Sequence, residues 1–244
     1  MIPEPLITAL ADAQHVAVLT GAGVSAESGV PTFREAQSGL WSQYDPTELA
    51  TPEAFAANPQ LVWGWYEFRR DLVRQVEPNP GHHALAELEV LLPEFTLITQ
   101  NVDGLHARAG STDIIEFHGN LFENRCYAEN RVVEVPQSEQ LPFCPDCGSP
   151  LRPGVVWFGE SIPEAASARA FAAARDCDLF FSIGTSSLVY PAAGLVEIAR
   201  EAGAVLVEIN PDPTGIAATL DFALAGPSGE VLPALVNRLK DHRS

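Results

Sequence analysis

No apolar run in the 244-residue chain approaches the roughly 18 residues of a membrane span, and its start, Met1-Ile2-Pro3-Glu4, has no basic region ahead of an apolar one. Neither a membrane partner nor a secretory leader is expected, and the reading is a soluble, cytoplasmic protein. Basic residues are scarce: 14 Lys and Arg stand against 32 Asp and Glu, a formal charge of −18. That balance argues against a nucleic-acid partner held through its phosphates, and favours basic partners or plain solubility. The four cysteines, three of them near one another, are too few for a secreted disulfide scaffold at this length and point to a metal site instead. Apolar residues are plentiful at 46%, enough to fill one large α/β domain with or without a small lobe.

The apolar run Val16-Ala17-Val18-Leu19 reads as a buried strand, and Gly21, Gly23 and Ala26 follow it in the G-x-G-x-x-G/A spacing that lets backbone N–H groups approach a pyrophosphate. Glycines after a strand also make ordinary turns, so the spacing alone is weak. Two absences set this loop apart. Gly29 and Pro31 stop the helix after one turn, leaving Thr32-Phe33-Arg34 in a loop that covers the ligand. The acidic residue expected about twenty positions on is missing, so ribose must be held elsewhere.

Strand character is absent from about 37 to 80, where Pro46, Pro52, Pro59, Pro78 and Pro80 punctuate short helices. The longest, about 60 to 76, carries an apolar stripe of Leu61, Trp65, Phe68, Leu72 and Val76. Tyr66 and Arg69 lie side by side on the neighbouring stripe, where packing and a solvated charge are the plain reading. After a helix over about 82 to 92, the strand Phe95 to Thr99 ends in Gln100-Asn101-Val102-Asp103. Those polar side chains fit ribose and amide contacts at a strand's carboxyl end, or an Asx-rich turn. A strand from Asp113 to Phe117 delivers His118, a candidate general base.

Between 120 and 153, Cys126 precedes Cys144-Pro145-Asp146-Cys147-Gly148, half of a zinc knuckle. Position 129, where a fourth cysteine would fall, is Glu129. Three thiolates with Glu129 or a water hold zinc, or the module folds without metal. Cys177 is expected in the core. The α/β rhythm returns after 154: a helix over about 163 to 175, a strand Leu179 to Ile183 ending in Gly184-Thr185-Ser186-Ser187, a helix to Ala202, and a strand Ala204 to Ile209 ending at Asn210-Pro211-Asp212. A short strand near Asp221 then leads through Gly226-Pro227-Ser228 to a last helix. Asn210 or Asp212 can take the missing ribose role.

Taken in order, Gly21-Ala22-Gly23 with Ser25 to Arg34, Gln100-Asn101-Val102-Asp103, His118-Gly119-Asn120, Phe158-Gly159-Glu160, Gly184-Thr185-Ser186 and Asn210-Pro211 resemble the sirtuins, NAD-dependent protein-lysine deacylases. Tyr66-x-x-Arg69 resembles the class III members, whose similar pair receives acidic acyl groups. The resemblance implies an α/β fold: a Rossmann-like doubly wound parallel sheet over 1–36, 81–119 and 154–244, with a smaller domain of helical insertion and zinc-ribbon-like module over 37–80 and 120–153. It implies that Gly21, Ala22, Gly23, Ser25, Ala26, Glu27, Thr32, Phe33, Arg34, Gln100, Asn101, Asp103, Gly184, Thr185, Ser186, Asn210, Asp212 and Ser228 hold NAD. Zinc falls to Cys126, Cys144 and Cys147.

By the same resemblance, Asn101 and Asp103 engage the ribose and the nicotinamide amide, Phe33 shields the reacting centre, and Arg34 orients the co-substrate. His118 accepts a proton from a ribose hydroxyl as it attacks an O-alkylimidate, releasing the lysine and then O-acyl-ADP-ribose. The acyl-lysine segment of a protein or peptide partner adds as a strand between Val156 to Glu160, with Val156, Phe158 and Gly159 as contacts, and Ser187 to Tyr190. Tyr66 and Arg69 imply that succinyl and malonyl groups are preferred over acetyl, and the chain is read as a monomer. A mono-ADP-ribosyltransferase on the same site and a non-catalytic NAD sensor are the alternatives; a hydride-transferring dehydrogenase ranks below both.

Overall fold

The apolar runs become parallel strands in the computed structural model, which describes residues 2–31, 44–136, 138–186 and 188–243. Helix α1 (Glu4–Asp12) leads into β1 (His15–Thr20), which is buried at every position and hands over at Gly21 to α2 (Ala22–Ala26). As expected from Gly29, α2 ends within one turn; Gly29 sits at φ +88°. Next come α3 (Pro46–Leu49), α4 (Pro52–Ala57), α5 (Pro59–Arg74) and α6 (Pro80–Leu91), each opened by proline in its first turn and capped by the side chain of Asp45, Thr51, Asn58 or Asn79. Most of the prolines that punctuate this stretch are therefore helix starts, where a missing N–H costs nothing.

The chain continues through β2 (Glu94–Thr99), α7 (Leu105–Arg108), β3 (Ile114–Glu116), β4 (Gly119–Cys126), β5 (Leu151–Val155) and α8 (Glu164–Asp176). It closes with β6 (Leu179–Ile183), α9 (Gly194–Ala202), β7 (Val205–Asn210), β8 (Phe222–Ala225) and α10 (Ser228–Arg243). Six strands form one parallel sheet in the order β3-β2-β1-β6-β7-β8. Alternate residues serve its two faces. Val16, Val18, Leu97, Phe181 and Val207 pack with Leu10, Leu88 and Leu235 of α1, α6 and α10, while Ala17, Leu19, Ile98, Phe180 and Leu206 pack with α8 and α9. Burial on both faces is why these strands read as continuous apolar runs. Cys177 lies in the second face, 5% exposed, and burial pushes its thiol up to about 12. Among the described residues no helix is long and apolar enough to cross a membrane.

β4 and β5 pair with each other, antiparallel, in a separate two-stranded sheet. Helices α3 to α5 cover it, with Phe55, Trp65 and Tyr66 packed together with Leu121, Val155 and Trp157. Here the sequence reading of α5 needs correcting. Val62, Tyr66 and Val73 are at most 2% exposed, whereas Leu61, Phe68, Leu72 and Val76 of the expected stripe are only half-buried. The helix is covered on more than one side, and even Glu67 and Arg70 go inside: Arg70 pairs with Glu67 at 2.5 Å and donates to Leu121 O and Asn124 Oδ1 of β4.

Beneath the sheet's carboxyl edge, the His82 and His106 rings face each other at 4.8 Å, both at most 2% exposed. His82 Nδ1 accepts from Asn79 N, and His106 Nε2 bonds Thr20 Oγ1 at 2.9 Å. Burial lowers their pKa values to about 4 and about 3. The unfolded chain takes up these protons near pH 6.5 and the native state only below about 4, so acidification through that window favours unfolding. Each pH unit there is expected to cost up to about 1.4 kcal/mol per histidine. Denaturant unfolding across the window checks this: a flat profile would contradict a neutral pair.

Candidate active site

The strand order reverses between β1 and β6, which lie side by side, so the loops leaving both strands meet. Gly21 N donates to Ile183 O at 3.0 Å and Gly23 N to Gly184 O at 2.8 Å. A Cβ on Gly23 would fall 2.8 Å from the Gly184 Cα, one on Gly21 would fall 2.7 Å from Thr185 Cβ, and one on Gly184, at φ +59°, would fall 2.5 Å from Val24 N. The small residues of the fingerprint are thus needed by the loop crossing itself, before any ligand is considered.

The carboxyl end of β2 supplies a polar floor. Gln100 Nε2 donates to Thr185 Oγ1 at 3.0 Å, and Asn101 Nδ2 donates to Gly21 O and Ser25 Oγ, both at 3.0 Å. With both amide hydrogens engaged, Asn101 keeps its Oδ1 as an acceptor. Asp103 is 5% exposed and accepts from Leu105 N at 2.9 Å. Burial pushes its carboxyl up, against the downward pull of that N–H, the Ser25 hydroxyl and the Arg69 and Arg108 charges. His118 Nδ1 lies 3.2 Å from Gln100 O. A carbonyl only accepts, so Nδ1 carries the hydrogen and Nε2 keeps its lone pair in the neutral ring. Burial lowers this imidazole below its ordinary 6.5, and the Gln100 carbonyl opposes the shift only in part.

These groups line a cleft of about 1040 Å³ between the sheet edge and the helices over β4 and β5. Gly21, Ala22, Gly23, Ser25, Gln100, Asn101, Asp103 and His118 line it with Gly184, Thr185 and Ser186, and its far wall includes Tyr66, Arg69, Val156, Phe158 and Gly159. Five expected residues are placed elsewhere. Ala26 and Asp212 are exposed outside the lining, and Asn210 Nδ2 donates to Thr185 O at 2.9 Å, bracing the loop from β7. Glu27 accepts from Ser228 Oγ at 2.5 Å and from Gly229 N, so these two cap the start of α10. Thr32, Phe33 and Arg34 lie outside the described residues.

On the far wall, the Tyr66 hydroxyl accepts from Trp157 Nε1 at 2.9 Å, and burial pushes its pKa up to about 12. The Arg69 guanidinium stacks 5.0 Å from the Trp65 ring and 5.6 Å from Tyr66. The sequence reading missed the brace behind this wall. Glu160 accepts from Arg152 Nη1 at 2.5 Å, Nη2 at 2.8 Å and Trp157 N at 2.8 Å, while Arg152 lies 3.4 Å over the Trp157 ring. Burial raises the Glu160 carboxyl, but the Arg152 bonds, the Trp157 N–H and the Arg152 charge together outweigh it and hold the group below its ordinary range. The Phe158-Gly159-Glu160 motif was the available signal; its partner, 8 residues earlier, was not marked by any pattern.

Away from the cleft, Cys126, Glu129, Cys144 and Cys147 each bring a ligand atom within 4.8 Å of the others. Three sulfurs and one carboxylate oxygen at that spacing fit a tetrahedral zinc ion.

A profile described as the Sir2 family matches residues 21–191. An NAD-dependent protein deacylase of Methylococcus capsulatus is 50% identical over 250 residues, spanning 98% of this chain and 98% of that protein. A crystal structure of a Sir2 homologue in complex with NAD superposes with a TM-score of 0.94 at 46% identity, covering 100% of this chain and 96% of that one. A mutant Sir2 homologue bound to 2′-O-acetyl ADP ribose superposes at 0.92 and 46% identity, covering 100% and 98%.

The loop crossing yields a stability prediction. Gly23→Ala drives a methyl into the Gly184 backbone and should cost about 1–3 kcal/mol, while Gly215→Ala, where a Cβ meets nothing within 4 Å, should change little. Equal denaturation midpoints for the two variants would show that the crossing tolerates a side chain.

Proposed function

The chain belongs to the Sir2 family and is an NAD-dependent protein deacylase; we propose that it acts on acyl-lysine in proteins and peptides and prefers succinyl and malonyl groups. The parallel sheet and its loops hold NAD, and the lobe built on β4 and β5 closes the acyl side of the cleft. One observation carries the chemistry: His118, with Nδ1 tied to Gln100 O and Nε2 bare, lines one cleft with Asn101 and Asp103. As co-substrate, NAD supplies the ribose that parts from nicotinamide and receives the acyl group.

The chain's own residues do the positioning. Asn101 offers Oδ1 to a donor on the co-substrate because its NH₂ is fixed by Gly21 and Ser25. His118 Nε2 takes the proton of a ribose hydroxyl, a task for a base that is neutral near pH 7. The exposed apolar side chains Phe158, Leu188, Val189 and Tyr190 flank the cleft mouth and suit a peptide laid between the two segments. Val156 N and Phe158 N donate to His118 O and Ala50 O, which ties this segment to the cleft's base and to α3.

The acyl preference rests on Arg69 and Tyr66 in the wall. A succinyl or malonyl carboxylate entering this cleft needs a charge partner, and Arg69 supplies one while the Tyr66 hydroxyl donates a further bond. Trp157 fixes the Tyr66 oxygen and leaves its hydrogen to be given.

Mass spectrometry of products from NAD with acetyl-, succinyl- and malonyl-lysine peptides tests the reading; O-acyl-ADP-ribose is expected, and ADP-ribosylated peptide would overturn it. His118→Ala should lower turnover by roughly a hundredfold or more with NAD binding retained. Because burial lowers the His118 pKa from 6.5, the acid limb of the wild-type kcat/KM profile should fall below about pH 6.5 and vanish in the variant. Arg69→Met should depress desuccinylation and demalonylation by about 2–5 kcal/mol in kcat/KM and leave deacetylation nearly unchanged. Parallel loss of all three activities would make Arg69 a structural residue and end the acidic-acyl reading.

A further inference from the structure

The segment joining β4 to β5 places one cation among the cysteines. Arg131 Nε donates to Glu129 Oε2 at 2.6 Å, and its Nη2 donates to Cys144 Sγ at 3.2 Å and to Asp146 Oδ2. One guanidinium therefore holds two members of the ligand set and a carboxylate beyond it. The placement is fixed by backbone. Asn130, at φ +53°, turns the chain so that Asn130 N reaches Cys126 O at 2.8 Å and Cys126 N reaches Arg131 O at 2.9 Å. On the opposite strap, Cys144 N donates to Ser149 O and Gly148 N to Cys144 O.

A guanidinium near a metal cluster has two opposite meanings. Seated where the ion belongs, it competes; standing outside, it orients the ligands. Three observations put Arg131 outside. Its side chain is 40% exposed, like the 44% exposed Glu129 that it holds, whereas the inner members of the cluster, Cys126 and Cys144, are 0% and 3% exposed. It takes only Oε2 of Glu129, and Oε1 accepts no hydrogen bond among the described residues. Cys126 Sγ and Cys147 Sγ already lie 3.4 Å apart, and neither sulfur is bonded to Arg131.

We propose that this module is a three-thiolate, one-carboxylate zinc site in which Arg131 is the positioning residue that makes Glu129 a ligand. Nε turns the carboxylate so that Oε1 faces the sulfurs, Nη2 steadies the Cys144 sulfur, and Asp146 anchors the guanidinium from the solvent side. The charges agree: three thiolates and a carboxylate outweigh a divalent ion, and Arg131 offsets part of the surplus. A carboxylate on a mobile side chain is a poorer fourth ligand than a thiolate unless something holds it, and outer-sphere hydrogen bonds of this kind change metal affinity about 10–100-fold. None of these residues lines the cleft, so the site is structural.

The test is a zinc titration of metal-stripped, full-length protein against a chromophoric chelator at fixed pH, with stoichiometry from native mass spectrometry. Wild type is expected to take a single ion per chain. Arg131→Met should weaken binding by about 10–100-fold. Glu129→Gln should weaken it as well, and adding Arg131→Met to that variant should do little more, because Arg131 acts chiefly through the carboxylate. Glu129→Cys should bind more tightly than wild type and lose its dependence on Arg131. Arg131→Lys, which keeps the cation without the planar fork, should fall between wild type and Arg131→Met, and carries the test if the Met variant does not fold. Unchanged binding in Arg131→Met would show that Arg131 does not support the site, tighter binding would show a competitor, and a wild type that takes no zinc would overturn the site altogether.

Discussion

The contact on which the rest of the site depends is the passage of the Gly21–Gly23 loop against Gly184. It exists because β1 and β6 are neighbours in the sheet and release their loops on the same edge. Once the two backbones touch, other groups are placed by reference to them: Asn101 is tied to Gly21 O, Gln100 to Thr185 Oγ1, and Asn210 to Thr185 O. His118 is in turn fixed by the carbonyl of Gln100. The floor that would hold a ribose and the base that would act on it are thereby set in one frame, with no long side chain free to wander.

The opposite wall is built by different physics. In a chain with 14 basic residues against 32 acidic ones, several arginines are withdrawn from the surface toward this cleft. Burying an unpaired cation is costly, so each is compensated: Arg152 by Glu160 and the Trp157 ring, Arg70 by Glu67 and β4 acceptors, Arg69 by Asp103 and the Tyr66 and Trp65 rings. The compensation also makes the wall stiff. Trp157 is held through its backbone N by Glu160 and through its indole N by Tyr66, so the segment that runs on to Gly159 is anchored to α5.

What the sequence disclosed and what it hid divide along the same physical line. Strands at 16–19, 95–99, 179–183 and 204–209 were legible because a parallel sheet covered on both faces demands unbroken apolar runs. The short helices between about 37 and 80 were legible from the prolines that punctuate them, though the side chains that cap them were not marked. β5 was not: Leu151-Arg152-Pro153-Gly154-Val155 carries an arginine, a proline and a glycine, and it is a strand because β4 lies beside it. A two-stranded sheet has only edges, which is where proline is tolerated. Likewise the small residues at 21, 23 and 184 were visible, but their requirement for each other was not, since it joins positions about 160 residues apart. The brace from Arg152 to Glu160 and the deeper face of α5 also depend on partners that no local pattern names.

Helix α5 is where the metal module and the cleft become one mechanical problem. Trp63 packs with Cys126, Val133, Cys144 and Leu151 in the core behind the cysteines, and its indole N donates to Ser138 O at 2.9 Å. Three residues on, Tyr66 faces Trp157 and the cleft. Positions three apart are neighbours on a helix surface, so a shift of the helix that disturbed Trp63 would carry Tyr66 and Arg69 with it. Arg70 closes the circuit by bonding the Leu121 carbonyl and Asn124 on β4, the strand that ends at Cys126. The ligand cluster touches nothing in the cleft, yet it sits at the far end of the strand and the helix that shape the acyl wall. The packing around Trp63 and the Arg70 bonds thus tie the cysteine module to the elements that form this wall.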